Sequence, residues 1–318
     1  MARQHKKMLW LLAALLPLPL AYTFHTVERE PTSRSNAAAK NGVRKQSESG
    51  MALLPEGVFL MGSPRPGPAD QRPVHRVGLK SFRLDITLVT NREFENFIDE
   101  TGYLTTAEKR GWSLLFDRKS GRWDEAAGVC WRHPTGANSS LVGKDDYPVV
   151  HVSWFDAMAY ATWAGKRLSS EAEYEYAARG GLSDAPFPWG RELTPENQMQ
   201  ANYWQGKFPL TNLGQDGFLG VAPVKSFPAN RFGLFDIAGN VACWCADWYG
   251  ADSYGSGGAR SGSGPDTGTE RVLRGGSWIS QSEKGGGLQV SDRDHAPPTA
   301  TNDYVGFRCA RDGKPLVK

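Results

Sequence analysis

Short apolar runs separated by turn residues make up most of the chain after Leu54. Two of these runs, His75–Leu79 and Phe82–Ile86, alternate apolar and polar residues with period two, which is the pattern of half-buried strands. A third run, Gly57–Gly62, is apolar and closed by a glycine. We therefore predict three short strands near the start of the folded part of the chain.

Helix start signals occur at three later positions. The segments Thr90-Asn-Arg-Glu93 and Ser170-Glu-Ala-Glu173 are capping boxes, and a third helix is predicted to begin near Ser153. After Gly181 no long helix is predicted, and no internal repeat of fixed period occurs. The Gly/Ser-rich residues 250–269 are predicted to be a surface excursion.

The composition favours a loop-rich domain. Glycine (36 residues) and proline (20) are abundant, and 11 tryptophans, 10 tyrosines and 14 phenylalanines supply material for a core. With 40% hydrophobic and 22% charged residues, the chain is not a collagen, a disordered acidic tail or a coiled coil. A length of 318 residues allows two domains or one large irregular domain, and we predict a core built beneath long ordered loops.

The amino-terminal segment has the features of an export signal. Three basic residues precede the apolar run Leu9–Ala21, which is too short to span a bilayer comfortably. We predict a signal peptide or an uncleaved signal anchor at residues 1–25, a disordered linker at residues 26–50 and a folded domain at residues 51–318. The domain would then be periplasmic or secreted, with a membrane tether if the signal is not cleaved.

The net charge of +3 is unevenly distributed. Residues 1–50 carry eight Lys/Arg and three acidic side chains, whereas the rest of the chain carries 29 basic and 31 acidic ones. A near-neutral body lacks the basic surface that phosphate backbones require, so we predict no nucleic-acid partner.

Four cysteines follow the linker: Cys130, Cys243, Cys245 and Cys309. In an oxidising compartment this even number permits two disulfides, and the spacing matches no zinc motif. For the Cys243-Trp-Cys245 pair we favour one buried thiol and one partner in a long-range disulfide. The alternative is a redox-active or soft-metal thiolate pair.

Eleven segments carry a resemblance that covers residues 52–311. They are Gly57–Gly62, Val89–Phe94, Thr101–Glu108, Trp131–Pro134, Pro148–Trp154, Trp163–Leu168, Ala177–Leu182, Pro188–Gly190, Gly239–Val241, Arg274–Trp278 and Gly306–Cys309. In this order they resemble the formylglycine-generating enzyme (sulfatase-modifying factor) superfamily. The resemblance implies a single loop-rich α+β domain, related to C-type lectins, with little regular secondary structure and bound calcium.

The resemblance also implies where copper would bind. Family members that make formylglycine oxidise a substrate cysteine with molecular oxygen and hold copper(I) between two thiolates just after the Gly-Gly-Ser segment. Ser280 and Gly285 stand at the two aligned positions here. Copper(I) prefers soft thiolate ligands, so we expect no copper at the family site. Ser277, Ser280 and Arg293 line the inherited groove by this alignment and are the candidate catalytic residues.

A calcium site is implied at four positions. Asn202 and Asp216 match the family's side-chain ligands, and Tyr203 and Phe218 match its backbone-carbonyl ligands; oxygen donors suit calcium. The alternative is that the Asn and Asp only shape turns. A second family calcium uses a glutamate at the position of Cys243, so we do not expect that site.

Three functions follow from the resemblance. The preferred one is an oxidoreductase that acts in the oxidative maturation of a peptide by a non-standard site, as in the branch implicated in maturation of pyoverdine-type peptide siderophores. The second is a non-catalytic paralogue that binds a peptide, a sulfatase or a glycan. The third is formylglycine formation on sulfatases with copper thiolates from elsewhere, such as Cys243 and Cys245. Each requires a peptide or protein partner, or a glycan in the second case.

Overall fold

The computed structural model describes residues 50–255, 264–281 and 286–313. The predicted signal segment and nearly all of the predicted linker lie outside these ranges, as do Gly285 and part of the Gly/Ser-rich excursion. Within the described ranges, no helix is both long and apolar enough to cross a membrane.

Four α-helices occur in the described chain, and each begins with a capping box. They are α1 (Asn91–Thr101), α2 (Thr106–Arg110), α3 (Trp154–Trp163) and α4 (Glu171–Arg179). The three predicted helices are confirmed as α1, α3 and α4. We missed α2, although Thr105 and Glu108 have the same three-residue spacing as the other caps. No α-helix follows Gly181 in the described ranges, as predicted.

Twelve short strands are described. They are β1 (Met51–Leu54), β2 (Gly57–Met61), β3 (His75–Leu79), β4 (Phe82–Asp85), β5 (Trp112–Asp117), β6 (Arg122–Ala127), β7 (Arg167–Leu168), β8 (Ala242–Trp248), β9 (Arg271–Arg274), β10 (Arg293–Ala296), β11 (Val305–Gly306) and β12 (Cys309–Asp312). Two four-stranded sheets have the orders β1-β4-β12-β7 and β10-β9-β8-β11, and β2-β3 and β5-β6 form two-stranded ribbons. The three predicted strands are confirmed as β2, β3 and β4.

The first four strands form one long bent hairpin. In the β1–β4 pair Leu54 lies opposite Phe82, and in the β2–β3 pair Gly57 lies opposite Leu79. The register is therefore continuous across the break at Pro55, and the hairpin passes from the first sheet into the β2–β3 ribbon. Only β4 of this hairpin pairs with another strand, β12, within the described residues.

Strand β8 separates the two largest apolar clusters. Trp244 packs in the cluster that contains α1 and α3 residues, whereas Cys243 and Cys245 pack in the cluster that contains β4 and Tyr174 of α4. This alternation follows from the period-two geometry of a strand. With 16% helix and 25% strand, the regular secondary structure is low, which confirms the predicted loop-rich α+β fold. Four tryptophans are almost fully buried: Trp131, Trp204, Trp244 and Trp278.

Candidate functional site

Two adjacent glycines shape the loop that follows β9. Gly275 and Gly276 have φ angles of +91° and +64°, which side chains with a Cβ adopt rarely. A Cβ on Gly275 would lie 2.4 Å from the Tyr174 hydroxyl oxygen, and one on Gly276 would lie 2.2 Å from the Gly287 carbonyl oxygen. The Gly-Gly pair is therefore required both by the backbone conformation and by the close approach of neighbouring segments.

The next residues form a tight hydrogen-bonded turn. The Ser277 amide donates to Ser280 Oγ at 3.0 Å, and the Ser280 amide donates to the Ser277 carbonyl at 2.9 Å. The Trp204 amide donates to the Ser280 carbonyl at 2.9 Å, which ties the turn to the adjacent loop. A Cβ on Gly287 would lie 2.4 Å from Ser280 Oγ. The Ser280 hydroxyl therefore holds the turn together.

A groove of about 370 Å³ opens at this turn. Its lining includes Ser277, Ile279, Ser280, Gln281, Asp292, Asp294 and Tyr304. Ser277 is 2% exposed, and burial raises the pKa of Asp292. The groove thus offers hydroxyl, amide and carboxyl groups beside apolar walls, and none of its described lining residues is a cysteine.

Arg293 does not extend its side chain into this groove. Its guanidinium donates to both carboxylate oxygens of Glu171, at 2.6 and 2.9 Å, and to the carbonyls of Asp70 and Gly250. The side chain is 0% exposed, so only the main chain of Arg293 can border the groove. The structure therefore brings Ser277 and Ser280 together and directs the Arg293 guanidinium into a buried ion pair.

That ion pair belongs to a buried charge cluster that runs along α4, from Glu171 through Glu175 to Arg179. Arg274 Nη2 lies 2.5 Å from Glu175 Oε2, and Arg179 Nη2 lies 2.6 Å from Glu175 Oε1. Nearby, burial and the charge of Glu171 raise the pKa of Asp247 to about 6. Because the acidic and basic groups neutralise one another, the cluster braces α4 against the second sheet.

Asp292, Asp294 and Tyr304 also line the groove, and their sequence context did not predict it. Asp294 follows Arg293 in β10, so burial of the arginine on one side leaves Asp294 to face the other side. Tyr304 comes two residues before the Gly306–Cys309 motif. Strand alternation was a usable signal for Asp294, but only if the buried side of the strand had been known.

The four positions of the implied calcium site lie close together. Asp216 Oδ2 accepts from the Tyr203 amide at 2.9 Å, and Asp216 Oδ1 accepts from the Phe218 amide at 2.9 Å. Asn202 uses its Nδ2 to donate to the Gly220 carbonyl and to Asn240 Oδ1, which leaves its Oδ1 as the acceptor.

An oxygen-rich point exists within this group. Tyr203 O and Asp216 Oδ2 both accept from a single donor, Gln205 Nε2, so these two oxygens face a common position. Carboxylate, amide and carbonyl oxygens are the ligands that calcium prefers. The residue types therefore suit calcium, and in this structure the Gln205 Nε2 donor lies at the position that Tyr203 O and Asp216 Oδ2 share.

The four cysteines are all unpaired thiols. Cys243, Cys245 and Cys309 are 0% exposed and Cys130 is 7% exposed. Burial raises the pKa of each thiol, so the protonated form is favoured. The predicted long-range disulfide is therefore wrong, because Cys243 and Cys245 point together into an apolar cluster that contains no other cysteine. The same burial disfavours the thiolate-pair alternative.

Comparison with known proteins agrees with this geometry. Residues 36–313 match the sulfatase-modifying factor enzyme 1-like domain. A formylglycine-generating enzyme from Thermomonospora curvata is 43% identical over 83% of this chain and 93% of its own length. The inactive C-alpha-formylglycine-generating enzyme 2 of Bos taurus is 40% identical over 82% of this chain and 87% of its own length.

A solved structure has the same fold. PvdO from Pseudomonas aeruginosa superposes with a TM-score of 0.64 at 29% identity, over 83% of this chain and 94% of that one. The family match, the shared fold and the preserved Gly-Gly-Ser turn agree with one another. The chain therefore belongs to the sulfatase-modifying factor family, whose members include the formylglycine-generating enzymes.

Proposed function

We propose that this protein is a peptide-binding member of the family that does not oxidise cysteine through a copper thiolate pair. The observation that carries the proposal is that the Ser280 side chain is hydrogen-bonded within its own turn. Its hydroxyl accepts a hydrogen bond from the Ser277 amide inside the turn. A hydroxyl is a hard ligand, and copper(I) requires soft sulfur donors.

The thiols elsewhere do not replace the missing ligands. Cys243 and Cys245 are fully buried, and burial raises the pKa of both. A copper(I) site needs thiolates that an external metal can reach, so formylglycine formation by these two residues is disfavoured.

Peptide binding needs only the groove and the fold, and this chain has both. The groove has about 370 Å³ of volume and a mixed apolar and polar lining, which is within the range of ligand pockets and gives room for a short segment of a peptide. A relative at 40% identity is named an inactive paralogue, so loss of activity with retention of the fold has a precedent in the family. Calcium held by Asn202, Tyr203 O, Asp216 and Phe218 O would brace the loop beside the groove.

A binding assay with matched variants tests this function. An extended peptide that carries one cysteine, and its alanine counterpart, are titrated into the purified protein with and without copper(I). We expect both peptides to bind, and Ile279→Glu in the groove to weaken binding about tenfold. The exposed control Leu104→Glu should leave binding unchanged. Copper-dependent conversion of the cysteine to an aldehyde would refute the proposal.

A second candidate is oxidative maturation of an exported peptide, such as a pyoverdine-type siderophore. It is favoured by the likeness to PvdO. In this function Ser277, Ser280 and Arg293 would be the inherited catalytic positions, with Arg293 acting through its main chain or through the Glu171 ion pair. Metabolite profiling of a deletion strain tests it, because one unoxidised peptide should accumulate. No change in any peptide would exclude this candidate.

Both candidates assume a periplasmic or secreted protein, which the predicted signal at residues 1–25 supports. Fractionation of cells that express the full chain distinguishes a cleaved signal from a membrane tether. The cleaved form should be found in the soluble extracytoplasmic fraction, whereas the anchored form should remain with the membranes.

A further inference from the structure

One edge of β2 is unpaired in the described chain. This strand pairs with β3 along one side, and no helix or loop hydrogen-bonds to the main chain of Val58 or Leu60 within the described residues. Gly62 shows which way their polar groups point. Its amide donates to Glu175 Oε1 at 2.8 Å, and its carbonyl accepts from Arg179 Nη2 at 2.8 Å, so its polar groups face α4 and away from β3.

Alternation along the strand extends this direction to two more residues. Amide groups two residues apart in a strand point the same way. The Gly62 amide follows directly on Met61, the last residue of β2, so the main-chain N–H and C=O groups of Leu60 and Val58 point to the same side as this amide. Glu175 and Arg179 hydrogen-bond to the main chain of Gly62 only. The N–H and C=O groups of Leu60 and Val58 are therefore free donors and acceptors at the edge.

A groove runs along this edge. It has a volume of about 490 Å³, and it is bordered by Val58–Leu60 on one side and by Tyr176, Arg179 and the 181–183 loop on the other. Val58 is 61% exposed and Leu60 is 54% exposed. Exposed apolar side chains beside an unpaired strand edge are a feature that proteins usually cover or charge.

The charges around the groove have one sign. Arg76 lies opposite Leu60 in the β2–β3 register and is exposed. Arg179 is the other charged lining residue, and it is already paired with Glu175. No carboxylate lines the groove among the described residues, so Arg76 offers a positive charge that an acidic partner can meet.

We infer that the β2 edge binds an extended segment of a partner protein by strand addition, and that this segment alternates apolar and acidic residues. The main chain of Val58 and Leu60 supplies the ladder hydrogen bonds, the apolar groove takes alternate side chains, and Arg76 pairs with an acidic one. The site shares no lining residue with the groove at Ser277 and Ser280, so it goes beyond the proposed function.

Two substitutions at Val58 separate strand addition from simple apolar contact. Val58→Pro removes an N–H that points away from β3, so the β2–β3 ladder loses no hydrogen bond. Val58→Thr has nearly the same shape and keeps that N–H, which makes it the matched control. Arg76→Glu reverses the charge beside the groove. Thermal unfolding of each variant checks that the fold is preserved.

The probe is a fluorescein-labelled peptide of three Glu-Val repeats, titrated with the full chain and followed by fluorescence anisotropy. We expect Val58→Pro to weaken binding by about tenfold or more and Val58→Thr by less than about threefold. Arg76→Glu should weaken binding of this peptide and strengthen binding of the Lys-Val counterpart.

Three results would overturn the inference. The first is no binding of the Glu-Val peptide by the unmodified protein at millimolar concentration. The second is equal binding by the folded Val58→Pro variant. The third is a dimer of the unmodified protein, seen by light scattering, that Val58→Pro dissociates, because the edge would then be occupied by a second copy of this chain.

Discussion

His151 is expected to make the stability of the domain depend on acid. The ring is 0% exposed, its Nδ1 lies 2.8 Å from Ser113 Oγ, and its Nε2 lies 2.9 Å from the Pro134 carbonyl oxygen. A carbonyl oxygen only accepts, so Nε2 carries the proton and donates to Pro134, while the Ser113 hydroxyl donates to Thr301 Oγ1 at 2.8 Å. Burial lowers the pKa of His151 from 6.5 to about 4.

The sign and size of the effect follow from this shift. Between pH 6.5 and pH 4 the folded state binds fewer protons than the unfolded chain, so the free energy of unfolding falls as the pH is lowered. The stabilisation is intact above about pH 6.5. The loss amounts to about 2 kcal/mol between pH 7 and pH 5 and to about 3 kcal/mol by pH 4.

The substitution His151→Asn tests this pH dependence of the free energy of unfolding. Asparagine tolerates the positive φ of +60° at this position and cannot be protonated, but it loses the hydrogen bond to Pro134. At pH 7 the variant should therefore be less stable by about 1–3 kcal/mol. This difference should shrink as the pH falls, because only the unmodified protein loses the His151 contribution.

Urea unfolding under reducing conditions, at half-unit steps from pH 7.5 to pH 4.5, measures both curves. Other buried carboxyl groups titrate in both proteins, so the difference between the curves isolates His151. If the His151→Asn curve is parallel to the unmodified one, the neutral buried imidazole is not the acid-sensitive group.

Three further predictions concern the groove, the calcium site and the thiols. Gly276→Ala places a Cβ at a positive φ against the Gly287 carbonyl, so it should lower the Tm and abolish peptide binding. The control Gly286→Ala, whose Cβ meets nothing within 4 Å, should do neither. Equal effects of the two substitutions would show that the turn does not require glycine at position 276. Chelation of calcium should lower the Tm of the unmodified protein, and Asp216→Asn should remove this sensitivity in calorimetry; an unchanged Tm on chelation would argue against the site. A thiol reagent should label no cysteine in the native protein and all four after unfolding in urea. The reason is that each thiol is buried and that burial raises its pKa. Labelling of the native protein would show an accessible thiol.

Local signals in the sequence were sufficient for much of the fold. The capping boxes at Thr90, Ser153 and Ser170 each join residues three positions apart, so no distant contact is needed to form them. The strands β3 and β4 alternate in the way their period-two pattern predicts. The family motifs carried the rest of the architecture, because they place the same turns in the same order.

The direction of side chains at the candidate site was not a local property. Arg293 pairs with Glu171, a residue 122 positions away, and nothing near Arg293 in the sequence indicates that partner. The four cysteines also have no local signature of burial, since Cys243 and Cys245 read equally well as thiols, disulfide partners or ligands. Their state depends on which face of β8 meets the apolar cluster.

The sequence by itself determined the family, the order of the helices and strands, and the absence of cysteine at position 280. Only the tertiary structure decided that Arg293 pairs with Glu171 and braces α4, and that one edge of β2 is unpaired within the described residues. The physical reason is that residue identity sets local geometry and ligand chemistry. The partner of a buried polar group, and the exposure of a strand edge, are set by segments more than a hundred residues apart.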